Sequence, residues 1–387
     1  MLNPMPFVKP LMKQNETYKI LMSGGGTGGH IFPAIAIANG LKDKLKNVDI
    51  LFVGAKGRME MEKVPQAGYP IEGLAISGIQ RRLTWKNLVF PFKLINSMIK
   101  ARRIVRAFRP HVVIGTGGYA SGPLLKAAAG AGFPTLILEQ NSYPGITNRW
   151  LGKVADRICT AYEGMEKYFP GEKIVVTGSP VRKSIRHMKV LPGEARKFFD
   201  LEENRKTLLV IGGSQGALRI NEAVARHVEQ LLASGIQIIW QTGKFSLEMA
   251  QRSVLNARFR QRVAITPFIN AMENAYAAAD VVVSRAGAIA IAEIVAVNKP
   301  AVFIPLPSAA EDHQTRNARA LVEKEAALLL PEKQAKKDFF TVVNGLMKDR
   351  EKQELLKKNL KQFEHGNATE RIVEEALKLI KQNKSEQ

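Results

Sequence analysis

The chain has 387 residues, 57 Lys and Arg against 35 Asp and Glu, a formal net charge of +22 and one cysteine, Cys159. Single hydrophobic cores stop growing near about 300 residues, so this length points to two domains. A lone cysteine excludes a disulfide-stapled fold, no run approaches the ~20 apolar residues that span a bilayer, and the cationic excess favours anionic partners: nucleic acid, anionic lipid or phosphorylated substrates.

Residues 1–17 carry Pro4, Pro6 and Pro10 without a long apolar core, and read as an extension rather than a signal peptide. From Tyr18 onward short apolar runs alternate with helical spacing such as Ile37, Leu41 and Leu45. The runs Tyr18–Met22, Val48–Val53, Val112–Gly115, Thr135–Leu138, Arg157–Thr160 and Ile174–Thr177 predict strands. The pattern restarts with Leu208–Ile211, Ile236–Gln241, Val263–Thr266, Asp280–Ser284 and Ala301–Pro305, and ends in Lys/Glu-rich helices after about Lys333. Fully apolar strands suit parallel sheets covered on both faces, so the expected class is α/β, with two doubly wound, Rossmann-like domains facing across a cleft. The expected divisions are an extension over 1–17, an N-terminal domain over 18–178, a C-terminal domain over 179–365, and a final segment, 366–387. The hinge is expected at Gly178-Ser179-Pro180.

Each half opens on a strand and a glycine-rich turn. The first runs Gly24-Gly25-Gly26-Thr27-Gly28-Gly29-His30, with Pro33 near the start of the next helix. Such a turn either only links strand to helix or offers free N–H groups and a positive helix end to an anion. No Lys-Ser or Lys-Thr follows the glycines, which argues against a P-loop NTPase. His30 sits at a strand's C-terminal end, where the helix dipole is expected to lower its pKa and keep it able to accept a proton. The second turn, Gly212-Gly213-Ser214-Gln215-Gly216, repeats the geometry and adds a hydroxyl. Two such turns at matching places point to a phosphate-bearing ligand.

Glu293 stands in the apolar run Ala288–Val295, either as an exposed helix residue or as an acceptor for ribose hydroxyls. Pro305 to Asn317 is expected to form a polar loop after a buried strand. In Ser77–Lys93, Ile79, Leu83, Trp85, Phe90 and Phe92 interleave with Arg81, Arg82, Lys86 and Lys93, the pattern of an interfacial membrane segment or of a core helix with a basic side. No zinc-ligand spacing, RNP-like run or helix-turn-helix signal supports nucleic acid as a partner. The chain contains no Asp-x-Asp pair. No metal or other cofactor is therefore expected, and the charge of a diphosphate falls to helix ends, Arg or Lys.

These motifs, with Gly117–Pro123, Glu139-Gln140-Asn141, Gly178–Arg182, Ser284–Ala288 and His313-Gln314 with Asn317, closely resemble the MurG family of peptidoglycan UDP-N-acetylglucosamine transferases, of the GT-B fold. The resemblance covers nearly the whole chain after Tyr18. It implies inverting transfer of N-acetylglucosamine from UDP-N-acetylglucosamine to the C4 hydroxyl of undecaprenyl-pyrophosphoryl-N-acetylmuramyl-pentapeptide, with His30 as candidate base. It places Thr27, Gly28, Gly29, Asn141, Arg182, Ser214, Ile269, Ala288, Ile289, Glu293 and Gln314 at the donor, and Tyr119, Ser121 and Glu139 at the acceptor. Arg182 and Ser214 would hold the diphosphate, the Ile269 backbone the uracil, Glu293 the ribose and Gln314 the sugar hydroxyls. It further implies that the final helix packs on the first domain. The protein would then sit peripherally on the anionic, cytoplasmic face of the cell membrane, with cell-wall synthesis proteins as partners. Two rivals stay open: a UDP-N-acetylglucosamine 2-epimerase, and a non-catalytic membrane subunit that only binds nucleotide-sugar.

Overall fold

The computed structural model describes residues 17–76 and 90–385. Ile79, Leu83 and Trp85 of the proposed membrane segment, and all but the last residue of the expected extension, lie outside them.

Thirteen strands form two sheets among the described residues. The first holds β1 (Tyr18–Ser23), β2 (Val48–Ala55), β3 (Ile71–Leu74), β4 (Val112–Gly115), β5 (Thr135–Glu139), β6 (Arg157–Thr160) and β7 (Ile174–Val176), in the order β3-β2-β1-β4-β5-β6-β7. The second holds β8 (Thr207–Ile211), β9 (Gln237–Gln241), β10 (Val263–Thr266), β11 (Val281–Ser284), β12 (Ala301–Phe303) and β13 (Leu328–Leu329), in the order β10-β9-β8-β11-β12-β13. β1 pairs in parallel with β2 and β4, and β8 with β9 and β11. In each sheet the order reverses beside the first strand, the switch point at which doubly wound folds bind ligands.

Burial explains why these runs form strands. Leu208 and Val210 enter one core with Ile238, Trp240, Val281 and Val283; Leu209 and Ile211 enter another with Ile239 and Val282. Successive side chains point to opposite faces, so a sheet packed on both needs an unbroken apolar run. The helix Leu218–Ala233 covers the first of these faces with Ile220, Ala223, Val224, Val228, Leu231 and Leu232. Inside that layer Trp240 Nε1 donates to Asn221 Oδ1 at 2.9 Å and Asn221 Nδ2 to the Thr242 carbonyl at 2.7 Å, so its buried polar groups are satisfied.

By contacts the described chain forms two compact units, one of residues 17–137, 150–157 and 372–385, the other of 138–149 and 158–371. Within the first, Arg157 Nε lies 3.1 Å from Glu375 Oε2 on the terminal helix Ala368–Ser385. Two strands, β3 and β13, lack a sequence signal: each is a short sheet edge, half-polar or two residues long. The expected loop over 305–317 needs correction. A helix spans His313–Val322, so Gln314 and Asn317 lie in its first turns.

Candidate functional site

The first switch point lies between β1 and β4. Thr27 caps the helix Gly28–Lys44 in an extended conformation, with no side-chain cap and no acidic residue in the first turn. The first turn thus carries no acidic side chain of its own, and Thr27, Gly28 and Gly29 are all solvent-accessible. Pro33 is the sixth residue of this helix, in its second turn.

His30 is half-buried in that first turn. Its Nδ1 stands 2.9 Å from the Gly25 carbonyl. A carbonyl only accepts, so this bond assigns the proton to Nδ1 and leaves the Nε2 lone pair as the basic site. Burial pushes the imidazole below its ordinary pKa of 6.5, opposed by the Gly25 bond and by the charge of Glu60. The direction agrees with the sequence reading, but desolvation is its leading cause. Gly117, after β4, has φ +104°, and a Cβ there would fall 2.7 Å from His30 Cδ2 and 2.8 Å from Nε2. The Cδ2–Nε2 side of the ring therefore lies close against the bare backbone of Gly117.

Tyr119 is 46% exposed and open to a ligand. Ser121 is not: it is fully buried, with Oγ 2.9 Å from the Gly117 carbonyl and 3.2 Å from both oxygens of Ser23. Its expected contact with the acceptor is corrected to a tie between the turns after β1 and β4. Beneath the glycines lies Glu60, 1% exposed, whose Oε2 accepts from Gly26 N at 2.9 Å and Oε1 from Ala55 N at 3.0 Å. No spacing in the sequence marks it.

The second switch point lies between β8 and β11. Here Gly212, Gly213, Ser284, Gly287, Leu306 and Gln314 line about 930 Å³ of open space. Ser214 is exposed, and the helix that follows has no acidic residue in its first turn. The helix Ala288–Ala296 likewise begins uncapped at Gly287, with Ala288 and Ile289 half-buried. Gln241, at the end of β9, joins two parts of this region: Nε2 donates to the Gly213 carbonyl at 2.9 Å and Oε1 accepts from Ile269 N at 3.0 Å. The Ile269 N–H, part of the backbone expected at the uracil, is thereby engaged inside the protein.

Glu293 is not an exposed helix residue; it is 3% exposed. Oε1 takes Arg182 Nε at 2.8 Å and Oε2 takes the Tyr276 hydroxyl at 3.1 Å. Burial, then the Glu293 charge, raises the Tyr276 pKa and keeps that hydroxyl a donor. Arg182 and Glu293, expected on different parts of one ligand, thus meet each other. Gln314 Oε1 accepts from Leu306 N at 2.9 Å, fixing the side chain beside β12.

Glu139 also differs from expectation. Oε1 accepts from the backbone and side-chain nitrogens of Asn141, and Oε2 from Gly145 N and Asn148 Nδ2, at 2.9–3.1 Å. Four donors fill both oxygens of a carboxylate that is 2% exposed. Glu139 is therefore corrected from acceptor contact to organiser of the loop that carries Asn141. That loop is tied again by Asn317, whose Nδ2 donates to Asn141 Oδ1 at 3.1 Å and whose Oδ1 accepts from Ser142 N at 2.9 Å. Among the described residues no group of three or more His, Cys, Asp or Glu could hold a metal ion.

Within the second unit, helix ends with no acidic residue in their first turns can take a diphosphate, and within the first, His30 offers an imidazole base. Residues 20–160 match the glycosyltransferase family 28 N-terminal domain and residues 207–374 its C-terminal domain. The chain is 51% identical over 370 residues to the UDP-N-acetylglucosamine--N-acetylmuramyl-(pentapeptide) pyrophosphoryl-undecaprenol N-acetylglucosamine transferase of Flavobacterium psychrophilum, covering 96% of this chain and 100% of that one. A crystal structure of Acinetobacter baumannii MurG is similar with a TM-score of 0.76 and 29% identity, over 93% of this chain and 99% of that one. A Neisseria meningitidis UDP-GlcNAc 2-epimerase shares the fold alone, with a TM-score of 0.61 at 14% identity, over 93% of this chain and 100% of that one.

Proposed function

The chain belongs to glycosyltransferase family 28, and from that we propose how its residues carry the reaction. The protein transfers N-acetylglucosamine from UDP-N-acetylglucosamine to undecaprenyl-pyrophosphoryl-N-acetylmuramyl-pentapeptide, in peptidoglycan synthesis. The match to the Flavobacterium transferase over 96% of the chain carries this conclusion. Its test is transfer of labelled N-acetylglucosamine to the lipid-linked muramyl-peptide by the purified chain. Isomerised sugar from donor alone would instead favour an epimerase.

In the chemistry we infer, the acceptor's C4 hydroxyl attacks the anomeric carbon opposite the diphosphate. The new C–O bond forms as the bond to UDP breaks, and His30 Nε2 takes the hydroxyl proton. Ser214, Arg182 and the uncapped helix ends stabilise the departing diphosphate. The donor's ribose would displace Arg182 from Glu293 and release that guanidinium toward the phosphates. Gln314 and Asn141 would contact the sugar, and Tyr119 the acceptor.

For the membrane surface, the supporting observation is the helix Phe90–Phe108. Ser97, Ala101, Ile104 and Val105 face inward. Phe92, Ile95 and Ile99 are 70%, 57% and 43% exposed, and the same outer stripe continues into exposed Arg102, Arg103 and Arg106. Apolar groups at helical spacing beside cations suit insertion at an anionic headgroup layer. No helix among the described residues is long and apolar enough to cross a membrane. Peripheral attachment to a membrane surface follows from this reading, and the family resemblance implies its cytoplasmic face.

A further inference from the structure

Glu60 belongs to no motif and touches no proposed ligand, yet its carboxylate sits directly under the His30 turn. It comes from the first turn of the short helix Glu60–Gln66, and the backbone is shaped to admit it. A Cβ on Gly25 would fall 2.2 Å from Glu60 Oε1, and one on Gly54 would fall 2.6 Å from its Cγ. Two glycines on different strands' ends thus clear room for one side chain. The carboxylate binds the N–H of Gly26 on one side and of Ala55 on the other. Gly26 follows Gly25, whose carbonyl holds His30 Nδ1. Glu60, Gly26, Gly25 and His30 form one continuous chain of contacts.

We propose that Glu60 is a positioning residue for His30: it clamps the glycine turn so that the Gly25 carbonyl selects the Nδ1–H tautomer, and its negative charge strengthens Nε2 as a base. Two effects follow. Geometrically, the clamp fixes the carbonyl that orients the ring. Electrostatically, a nearby anion favours the imidazolium that forms as the hydroxyl proton arrives. A buried carboxylate with only two backbone donors is costly for a merely structural fastener. The inference rests on reading His30 as the base.

The test compares the pH dependence of kcat for wild type, Glu60→Gln, His30→Ala and the double variant, each first checked for cooperative thermal unfolding. Glu60→Gln keeps the shape and removes the charge. Its plateau kcat should fall roughly tenfold, short of the 10²–10⁴-fold span for losing a base, and its acid limb should move to lower pH. Glu60→Asp keeps the charge but loses reach; it should lower kcat with a smaller displacement of the limb. In the His30→Ala background, Glu60→Gln should cost almost nothing more, because the two act through one group. An unmoved acid limb in folded Glu60→Gln, or the same fractional loss with and without His30, would overturn the proposal. Persistence of the limb in His30→Ala alone would reject the base assignment itself, and the role of Glu60 with it.

Discussion

Arg182 and Glu293, 111 positions apart in the chain, hold each other by a 2.8 Å contact between Nε and Oε1, while the Tyr276 hydroxyl occupies the other carboxylate oxygen. The pair is asymmetric: the Glu293 side chain is 4% exposed and that of Arg182 49%. A buried acid with one solvent-facing partner can exchange that partner for a ligand without losing its internal donor.

Nucleotide recognition tests this directly. Glu293→Ala should weaken UDP binding by about 1.5–3 kcal/mol, the worth of hydrogen bonds to a charged group. It should also blunt discrimination between UDP and its deoxyribose analogue, read by titration calorimetry. Equal weakening for both nucleotides would leave Glu293 a structural residue only.

His30 should show itself in rate and in pH. His30→Ala should lower kcat by roughly 10²–10⁴-fold with little change in donor affinity. Because burial depresses this pKa, the acid limb of wild-type kcat/KM should have its midpoint below 6.5. Activity is present where the imidazole is neutral and is lost as pH falls through that midpoint. A normal rate in the variant would remove His30 from the chemistry.

Gly117 should be intolerant in a specific way. Gly117→Ala adds a methyl that collides with the imidazole at a φ that side chains rarely adopt. Turnover should drop by at least tenfold, on the scale of a misplaced base, while UDP affinity, proposed to rest mainly on Ser214, Ile269 and Glu293, stays near wild type. Unchanged turnover would mean that the ring does not work from this position.

The exposed stripe predicts membrane behaviour. Wild-type protein should co-sediment with anionic vesicles, and raised salt should weaken that binding through screening. Phe92→Ser with Ile99→Ser should weaken it further at any salt. Neutral vesicles binding as well as anionic ones, or the double variant binding as well as wild type, would return this helix to an ordinary surface role.

The sequence revealed most where side chains and backbone obey one rule at a time. Fully apolar runs such as Leu208–Ile211 marked central strands because both sheet faces are buried. The edge strand Ile71–Leu74 escaped notice because half of it is not. Thr27 to His30 and Gly212 to Gly216 announced themselves through glycine. Long-range polar partnerships did not: Glu60 finds Gly26, Glu293 finds Tyr276 and Asn317 finds Ser142 only once the chain is folded. Ser121 and Glu139 show the opposite error. Each lies in a motif rich in candidate site residues, but its polar atoms are spent on holding the backbone that displays the others.

Gln241 carries a constraint of a different kind. One end of its amide must give a proton to the Gly213 carbonyl, and the other must take one from the Ile269 N–H. Glutamate can only take, lysine can only give, and methionine does neither well, while asparagine is a methylene short. Glutamine alone combines that reach with both polarities, so these two internal bonds by themselves favour essentially one amino acid at this position. Through that single amide, a shift in the segment at Ile269 must be felt at the Gly212–Gly216 turn. If the proposed donor site is right, one mechanical piece reads both ends of the nucleotide, and a UDP fragment missing either end should find the other half of its site less well formed.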